Sequence, residues 1–211
     1  MTVGDSFTWA FKDPEWLGKM LLQGLIAFIP IVGWIAMLGW MMLAIDNLKA
    51  GRMELPPAGF HLARGIGIFL VMLIYGIVLA VPAGVLLGLG AIVAAVTNSN
   101  DHSSVAALPL FILGYMLAFA AGLLIRVLYP ALILQTNRAG FAGGMEVQKV
   151  LRVSTFNLGN TIIAALLIWV ASLIGGLGIG LCLVGALFTI PYENTVNAGI
   201  VAWYDKESGP A

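Results

Sequence analysis

Hydrophobic residues in this chain are gathered into five long blocks separated by shorter polar stretches. The blocks cover residues 18–45, 66–96, 105–134, 161–177 and 178–203. A helix needs roughly 20 apolar residues to cross a bilayer core about 30 Å thick, and blocks of this size match that requirement. The pattern therefore predicts an all-α fold, a polytopic bundle of transmembrane helices.

The first block is too long and too interrupted for one simple crossing. As a single helix, residues 18–45 would extend about 42 Å, and Pro30 and Gly33 interrupt the block. One tilted crossing and a short hairpin of two half-helices are both open. We favour the hairpin because it keeps Lys12 and Lys19 on the same side as most other cations. The total is then about six helical segments.

Lysine and arginine are distributed unevenly between the polar stretches. Residues 46–65 and 135–159 contain most of them, whereas the polar loop 97–104 contains none. Short loops rich in these cations stay in the cytoplasm, so we expect both stretches and both termini there, in a multi-pass protein of the inner (plasma) membrane. Apolar and aromatic residues among the charges predict two amphipathic helices in the headgroup region, at 54–64 and 141–156.

The overall composition agrees with a membrane environment. Hydrophobic residues make up 61% of the chain and charged residues 9%, whereas a soluble domain has charge on about a quarter of its residues. We expect one integral membrane domain over residues 1–211, in contact with the lipid bilayer. The formal net charge is zero, which gives no indication of a nucleic-acid partner.

A weak internal similarity raises the question of a duplication. Residues 43–51 read Leu-Ala-Ile-Asp-Asn-Leu-Lys-Ala-Gly, and residues 132–140 read Leu-Ile-Leu-Gln-Thr-Asn-Arg-Ala-Gly. Each segment follows a long apolar block and precedes an interfacial stretch and a further apolar block. A parallel duplication with copies at 19–97 and 105–204 is one interpretation. Chance similarity between apolar sequences is the other.

Polar side chains within apolar blocks are the candidate functional residues, because ionisable groups are costly at membrane depth. They form one predicted intramembrane polar cluster: Arg126, Glu193, Asn194 and Asn197. An Arg126–Glu193 pair there could bind a substrate or a proton, or could tie helices together. For Asp46 and Asn47, which end the first block, we expect ordinary solvation at the interface.

Motifs for catalysis or cofactor binding are missing from the sequence. It contains no glycine-rich phosphate motif, no His-Glu-x-x-His and no nucleophile elbow. We therefore predict no catalytic residues, no cofactor and no metal site, and we expect the protein not to be an enzyme.

Two groups of residues resemble a known family. In the N-terminal half they are residues 11–16 (Phe-Lys-Asp-Pro-Glu-Trp), Lys19, Gly24, Pro30, Gly39 and residues 51–56 (Gly-Arg-Met-Glu-Leu-Pro). They are similar to bacterial and archaeal membrane proteins of domain-of-unknown-function family 4013. The C-terminal half resembles a related uncharacterised six-helix family through Tyr129-Pro130, residues 178–180, Pro191-Tyr192, Asn194-Thr195, Ala198 and Trp203-Tyr204. The resemblance implies a six-helix bundle with cytoplasmic ends and no known reaction or ligand.

Without a chemical motif, the sequence favours an accessory or scaffold subunit that packs against other membrane protein subunits. Small residues at helical spacing would let neighbouring helices approach closely. The alternative is a small-molecule or ion transporter or channel, which would require a hydrated cavity reaching the polar cluster.

Overall fold

Helices make up the regular structure of the protein. The computed structural model describes residues 2–97, 103–180 and 183–207, and no strand occurs among them. The α-helices are α1 (Asp5–Thr8), α2 (Trp16–Ala27), α3 (Val32–Lys49), α4 (Leu62–Thr97), α5 (Ser103–Met145), α6 (Val147–Phe156), α7 (Leu158–Gly180) and α8 (Leu183–Glu207), and a 3-10 helix covers Trp9–Lys12. The predicted all-α helical bundle is confirmed.

Three of these helices are long and apolar enough to cross a membrane, judged by length and composition. They are Leu62–Val96, Val105–Met145 and Leu158–Gly178. α8 has a comparable length, 25 residues, but it contains several charged and amide side chains. The fifth apolar block begins within the last turn of α7, and from Leu183 onward it lies in α8, a helix that is more polar than the other long helices.

The chain divides into two compact units. One combines Met1–Val71 with Val127–Ala211, and the other is Met72–Arg126. In the first unit, α8 packs against α2, α3 and α7. The largest buried side chains of the first unit, each fully covered, include Trp9, Trp40, Met41, Ile45 and Tyr204. In the second unit, the Gly114 backbone lies against the Leu87 side chain and Gly90 against Phe111.

The first apolar block forms two helices separated by a turn, as the hairpin interpretation of residues 18–45 requires. Which side of the membrane its ends face stays a prediction. α2 has 12 residues, a length of about 18 Å, which is shorter than a bilayer core. In the turn before α3, the N–H groups of Phe28 and Ile29 donate to the carbonyls of Leu25 and Ile26, and Gly33 N–H donates back to Ile29. Internal pairing of this kind is what an irregular backbone requires at membrane depth.

The prediction of an amphipathic helix at 54–64 is wrong. The chain is irregular from Arg52 to His61, and α4 begins only at Leu62. Pro56 and Pro57 explain the difference, because proline lacks an N–H donor and disfavours helical geometry in the residue before it. The second predicted helix, 141–156, exists as the end of α5 followed by α6, which buries Val150 and Val153.

Glycine allows α2 to contact α8 at a point where α8 lacks an internal hydrogen bond. Pro191 inside α8 has no N–H, so the Leu187 carbonyl four residues earlier loses its usual donor. An ideal Cβ placed on Gly24 of α2 would lie 2.1 Å from that carbonyl oxygen. Only glycine permits this approach, which places a Cα–H group against the exposed carbonyl.

Candidate functional site between helices α7 and α8

Glu193 places its carboxylate between α8 and α7. The Ser172 hydroxyl donates a hydrogen bond of 2.9 Å to Glu193 Oε1. On the same face of α7, an ideal Cβ on Gly175 would lie 2.0 Å from Glu193 Oε2. The carboxylate therefore occupies space that exists only because residue 175 has no side chain.

A second polar side chain of α8, Thr189, lies in the same way against Gly178, three residues further along α7. Thr189 Oγ1 donates to the Gly175 carbonyl at 3.0 Å. An ideal Cβ on Gly178 would lie 1.8 Å from Thr189 Oγ1. Gly175 and Gly178 on α7 thus leave room for two polar side chains of α8, and they let the two helix backbones approach closely.

The two amides of the predicted cluster have different environments. Asn194 donates to the Ile190 carbonyl of its own helix at 2.9 Å, and it lines an apolar cavity of about 250 Å³ beside Trp34 and Met37. Asn197 is only 3% exposed, and its Oδ1 accepts no hydrogen bond within the described ranges. Buried acceptors without a donor are uncommon in native proteins.

Arg126, the fourth residue of the predicted cluster, belongs to the unit Met72–Arg126. Glu193, Asn194 and Asn197 belong to the other unit, on α8. The pairing of Arg126 with Glu193 stays a prediction. The structure adds Ser172 and Thr189 to the polar residues around Glu193. Sequence reasoning missed both, because hydroxyl side chains are common in apolar helices.

A buried ion pair near the N-terminus was also missed. Asp13 is 1% exposed, and its Oδ2 lies 2.8 Å from Lys19 Nζ and 2.7 Å from the Leu55 N–H. Burial alone would raise the pKa of this carboxyl, but the hydrogen bonds from Lys19, Glu15 N–H and Leu55 N–H outweigh it and lower the pKa. This Asp13–Lys19–Leu55 clamp fastens the irregular segment 52–61 to α2.

Other side chains form hydrogen bonds with backbone groups along the irregular segment. Trp40 Nε1 donates to the Pro56 carbonyl at 3.0 Å, and Gln23 Oε1 accepts from Gly59 N–H at 2.9 Å. Asn47 Nδ2 donates to the Glu54 carbonyl at 2.9 Å. The segment therefore replaces helical hydrogen bonds with bonds to α2 and α3, which explains how it remains ordered without secondary structure.

Charged residues also join the ends of α3, α5 and α8. Asp205 binds Lys49 and Arg138, and Asp46 binds Arg64 and accepts from Asn137 Nδ2 at 2.9 Å. The expectation that Asp46 and Asn47 are merely solvated is wrong, because both hold neighbouring chain segments. The sequence offered no signal for these partners, since they lie far apart along the chain.

The arrangement around Glu193 can hold a proton or a polar group, but it lacks an obvious set of metal ligands. In the part of the chain that the structure describes, no group of three His, Cys, Asp or Glu side chains could hold a metal ion. The histidine of the loop 97–104, His102, lies outside that part.

These features define an all-α membrane protein in which polar side chains are buried between closely packed helices. A family model described as a protein of unknown function, DUF4013, matches residues 22–184. The chain therefore belongs to the DUF4013 family, and the resemblance read from the sequence is confirmed. No curated protein and no solved structure was found to match the chain. The matched range includes Gly24, Pro30 and Gly39 but begins after the Asp13–Lys19 pair.

Proposed function

We propose that this protein is a non-catalytic accessory or scaffold subunit that packs against another membrane protein. The contact is made by the unit Met72–Arg126, whose parts of α4 and α5 form two sides of a shallow groove. The groove has a volume of about 420 Å³. Its lining is almost entirely apolar, and most of its residues are small: Gly76, Leu79, Ala80, Ala83, Gly84, Leu87, Ala118, Ala121, Gly122 and Ile125.

The groove supports this proposal because of how helices associate in lipid. Apolar side chains gain little by exchanging lipid for protein, so association depends on close packing of backbones and on small residues. Large exposed side chains stand elsewhere on the same two helices, among them Val78, Val81, Tyr115 and Phe119. A partner helix can insert a ridge of side chains where the small residues leave room.

The proposed orientation follows from the cations. Lys49, Arg64 and Arg138 lie at helix ends in the first unit, where they contact Asp46 and Asp205. The positive-inside rule assigns such ends to the cytoplasm. We therefore propose an inner-membrane location with both termini on the cytoplasmic side.

Filling the groove is expected to release the partner. The double variant Gly84→Leu, Ala118→Leu places two bulky side chains on the groove lining. The measurement is purification from the native membrane in mild detergent, followed by mass spectrometry of stoichiometric companions. We expect the wild-type protein to retain a membrane protein partner and the double variant to lose most of it, at least tenfold, since small-residue contacts tolerate no added volume.

Gly88→Leu provides the matched control, because an ideal Cβ at this position of the same helix meets no described atom within 4 Å beyond its own helix backbone. Gly88 does not line the groove, so its leucine variant should keep the partner. A wild-type protein that is purified alone, or a groove variant that keeps its partner, would overturn the proposal.

A transporter is the second candidate, supported by Asn197 and Glu193. These residues are one turn apart on α8 and therefore share a face. The buried Asn197 Oδ1 has no donor among the described residues, and water or a substrate could supply one.

Proton flux tests this second candidate. Proteoliposomes containing a pH-sensitive dye would be challenged with a proton gradient, using the wild-type protein and Glu193→Gln. If protons are transported through this site, the protein-dependent proton flux should fall at least tenfold in the variant, because glutamine cannot exchange a proton. Equal fluxes at equal protein density would remove Glu193-dependent proton transport from consideration.

A further inference from the structure

The two similar segments found in the sequence meet at a single carboxylate. Lys49, in residues 43–51, lies 2.8 Å from Asp205 Oδ2. Arg138, which occupies the corresponding position of residues 132–140, binds Asp205 Oδ1. Equivalent cations of two similar helix ends therefore share the two oxygens of one side chain on α8.

The two segments also both end in a glycine with positive φ. Gly51 has a φ of 75° and Gly140 a φ of 66°, and they are the glycines with positive φ within the described ranges. After α3, Gly51 N–H bonds to the Leu48 carbonyl and Arg52 N–H to the Asn47 carbonyl, the pairing of a Schellman cap. In α5 the helical geometry is broken at Ala139 and Gly140.

Burial matches between the segments as well. Ala44 and Ile45 are completely buried, and so are the corresponding Ile133 and Leu134. The segments also contact each other, because Asn137 Nδ2 donates to Asp46 Oδ1 at 2.9 Å. A terminal glycine with positive φ, matching burial and a shared partner favour a duplication over chance similarity.

We propose that Asp205 is an ionic latch that holds both copies of a duplicated helix-end motif against α8, with Gly51 and Gly140 as the hinges. An acidic side chain near a helix C-terminus is repelled by the helix dipole, so Asp205 depends on the two cations for its position. The carboxylate is 15% exposed, which strengthens its attraction to them relative to open water. When the latch opens, the chain after each glycine is free to move. This inference is independent of the proposed partner.

Hydrogen exchange with mass spectrometry tests the latch on the full-length protein in detergent. Exchange reports the free energy of local opening. For Asp205→Asn we expect exchange to become about tenfold faster after both hinges, at residues 50–54 and 139–145. Lys49→Met should act mainly on the first segment and Arg138→Met mainly on the second. These single-cation variants keep the test valid if Asp205→Asn does not fold.

Glu146→Gln is the matched control. It also converts an acid to an amide, but Glu146 pairs at 2.8 Å with Lys149, an exposed residue of the same helical turn. Such pairs contribute little, so exchange in the first segment should stay unchanged. The latch proposal is overturned if Asp205→Asn leaves both segments unchanged, or if Lys49→Met and Arg138→Met have identical effects on both.

Discussion

Asp13→Ala is expected to destabilise the protein by about 2–4 kcal/mol, because a hydrogen bond to a charged group contributes about 1.5–3 kcal/mol and a buried donor left unpaired costs about 1–3 kcal/mol. The variant leaves Lys19 without its closest anion and removes the acceptor of the Leu55 N–H. Segment 52–61 should then detach from α2. Thermal unfolding in detergent, followed by circular dichroism, measures the loss, and Asp13→Asn should retain part of the stability because its amide oxygen can still accept from Leu55.

The dependence of the protein's stability on pH gives a second test of the role of Asp13. The pKa of the Asp13 carboxyl is lowered in the folded protein. The carboxylate therefore contributes fully to stability above the ordinary pKa of an aspartate. The contribution is lost as the pH falls through the lowered value. The difference in stability between the wild-type protein and Asp13→Ala should therefore be full at neutral pH and shrink in acid. A difference that stays constant into strong acid would contradict the buried ion pair.

Gly65→Ala is expected to disrupt the contact between α3 and α4. An ideal Cβ at Gly65 would lie 1.8 Å from the Ile35 carbonyl oxygen, and one at Gly39 would lie 2.1 Å from the His61 carbonyl oxygen. Both neighbours are backbone atoms, so the helices themselves must separate. Added volume in a packed site costs about 1–3 kcal/mol and occasionally more. We expect this variant to exceed that range, with a large fall in thermal midpoint.

Gly88→Ala tests whether the effect comes from packing rather than from glycine itself. It changes another glycine of α4 in the same way, but its Cβ would meet no atom of another described segment within 4 Å. Stability should stay unchanged or rise slightly, because alanine favours helix more than glycine does. Equal losses in the two variants would mean that the close approach of Gly65 to Ile35 is not responsible.

The family resemblance has a physical counterpart in this structure. Two separated parts of the quoted pattern, residues 11–16 with Lys19 and residues 51–56, meet in the Asp13–Lys19–Leu55 clamp. Gly39 and Gly24, also in the pattern, are positions where another chain segment approaches the backbone. Of the quoted residues, Asp13 and Lys19 hold segment 52–61, and Gly24 and Gly39 allow close approaches to α2 and α3. They do not by themselves indicate a chemical activity.

Several features could be read from the sequence because they depend on local chemistry. Long apolar runs predicted the helices, and Pro30 with Gly33 predicted the break between α2 and α3. The amphipathic pattern before residue 156 predicted α6. Each of these follows from the solvent preference of side chains or from the backbone limits of proline and glycine, which act within a few residues.

Tertiary structure decided which distant residues became partners. Residues 52–61 carry an amphipathic pattern, yet prolines and bonds from Asp13, Gln23 and Trp40 hold them in an irregular path. Asp205 meets Lys49 and Arg138 only because the ends of three helices converge. Apolar helices have largely interchangeable surfaces in lipid, so their neighbours are set by glycine contacts and a few polar bonds spread along the whole chain. Those contacts exist only once the chain has folded, and the sequence pattern therefore shows the helices but not their partners.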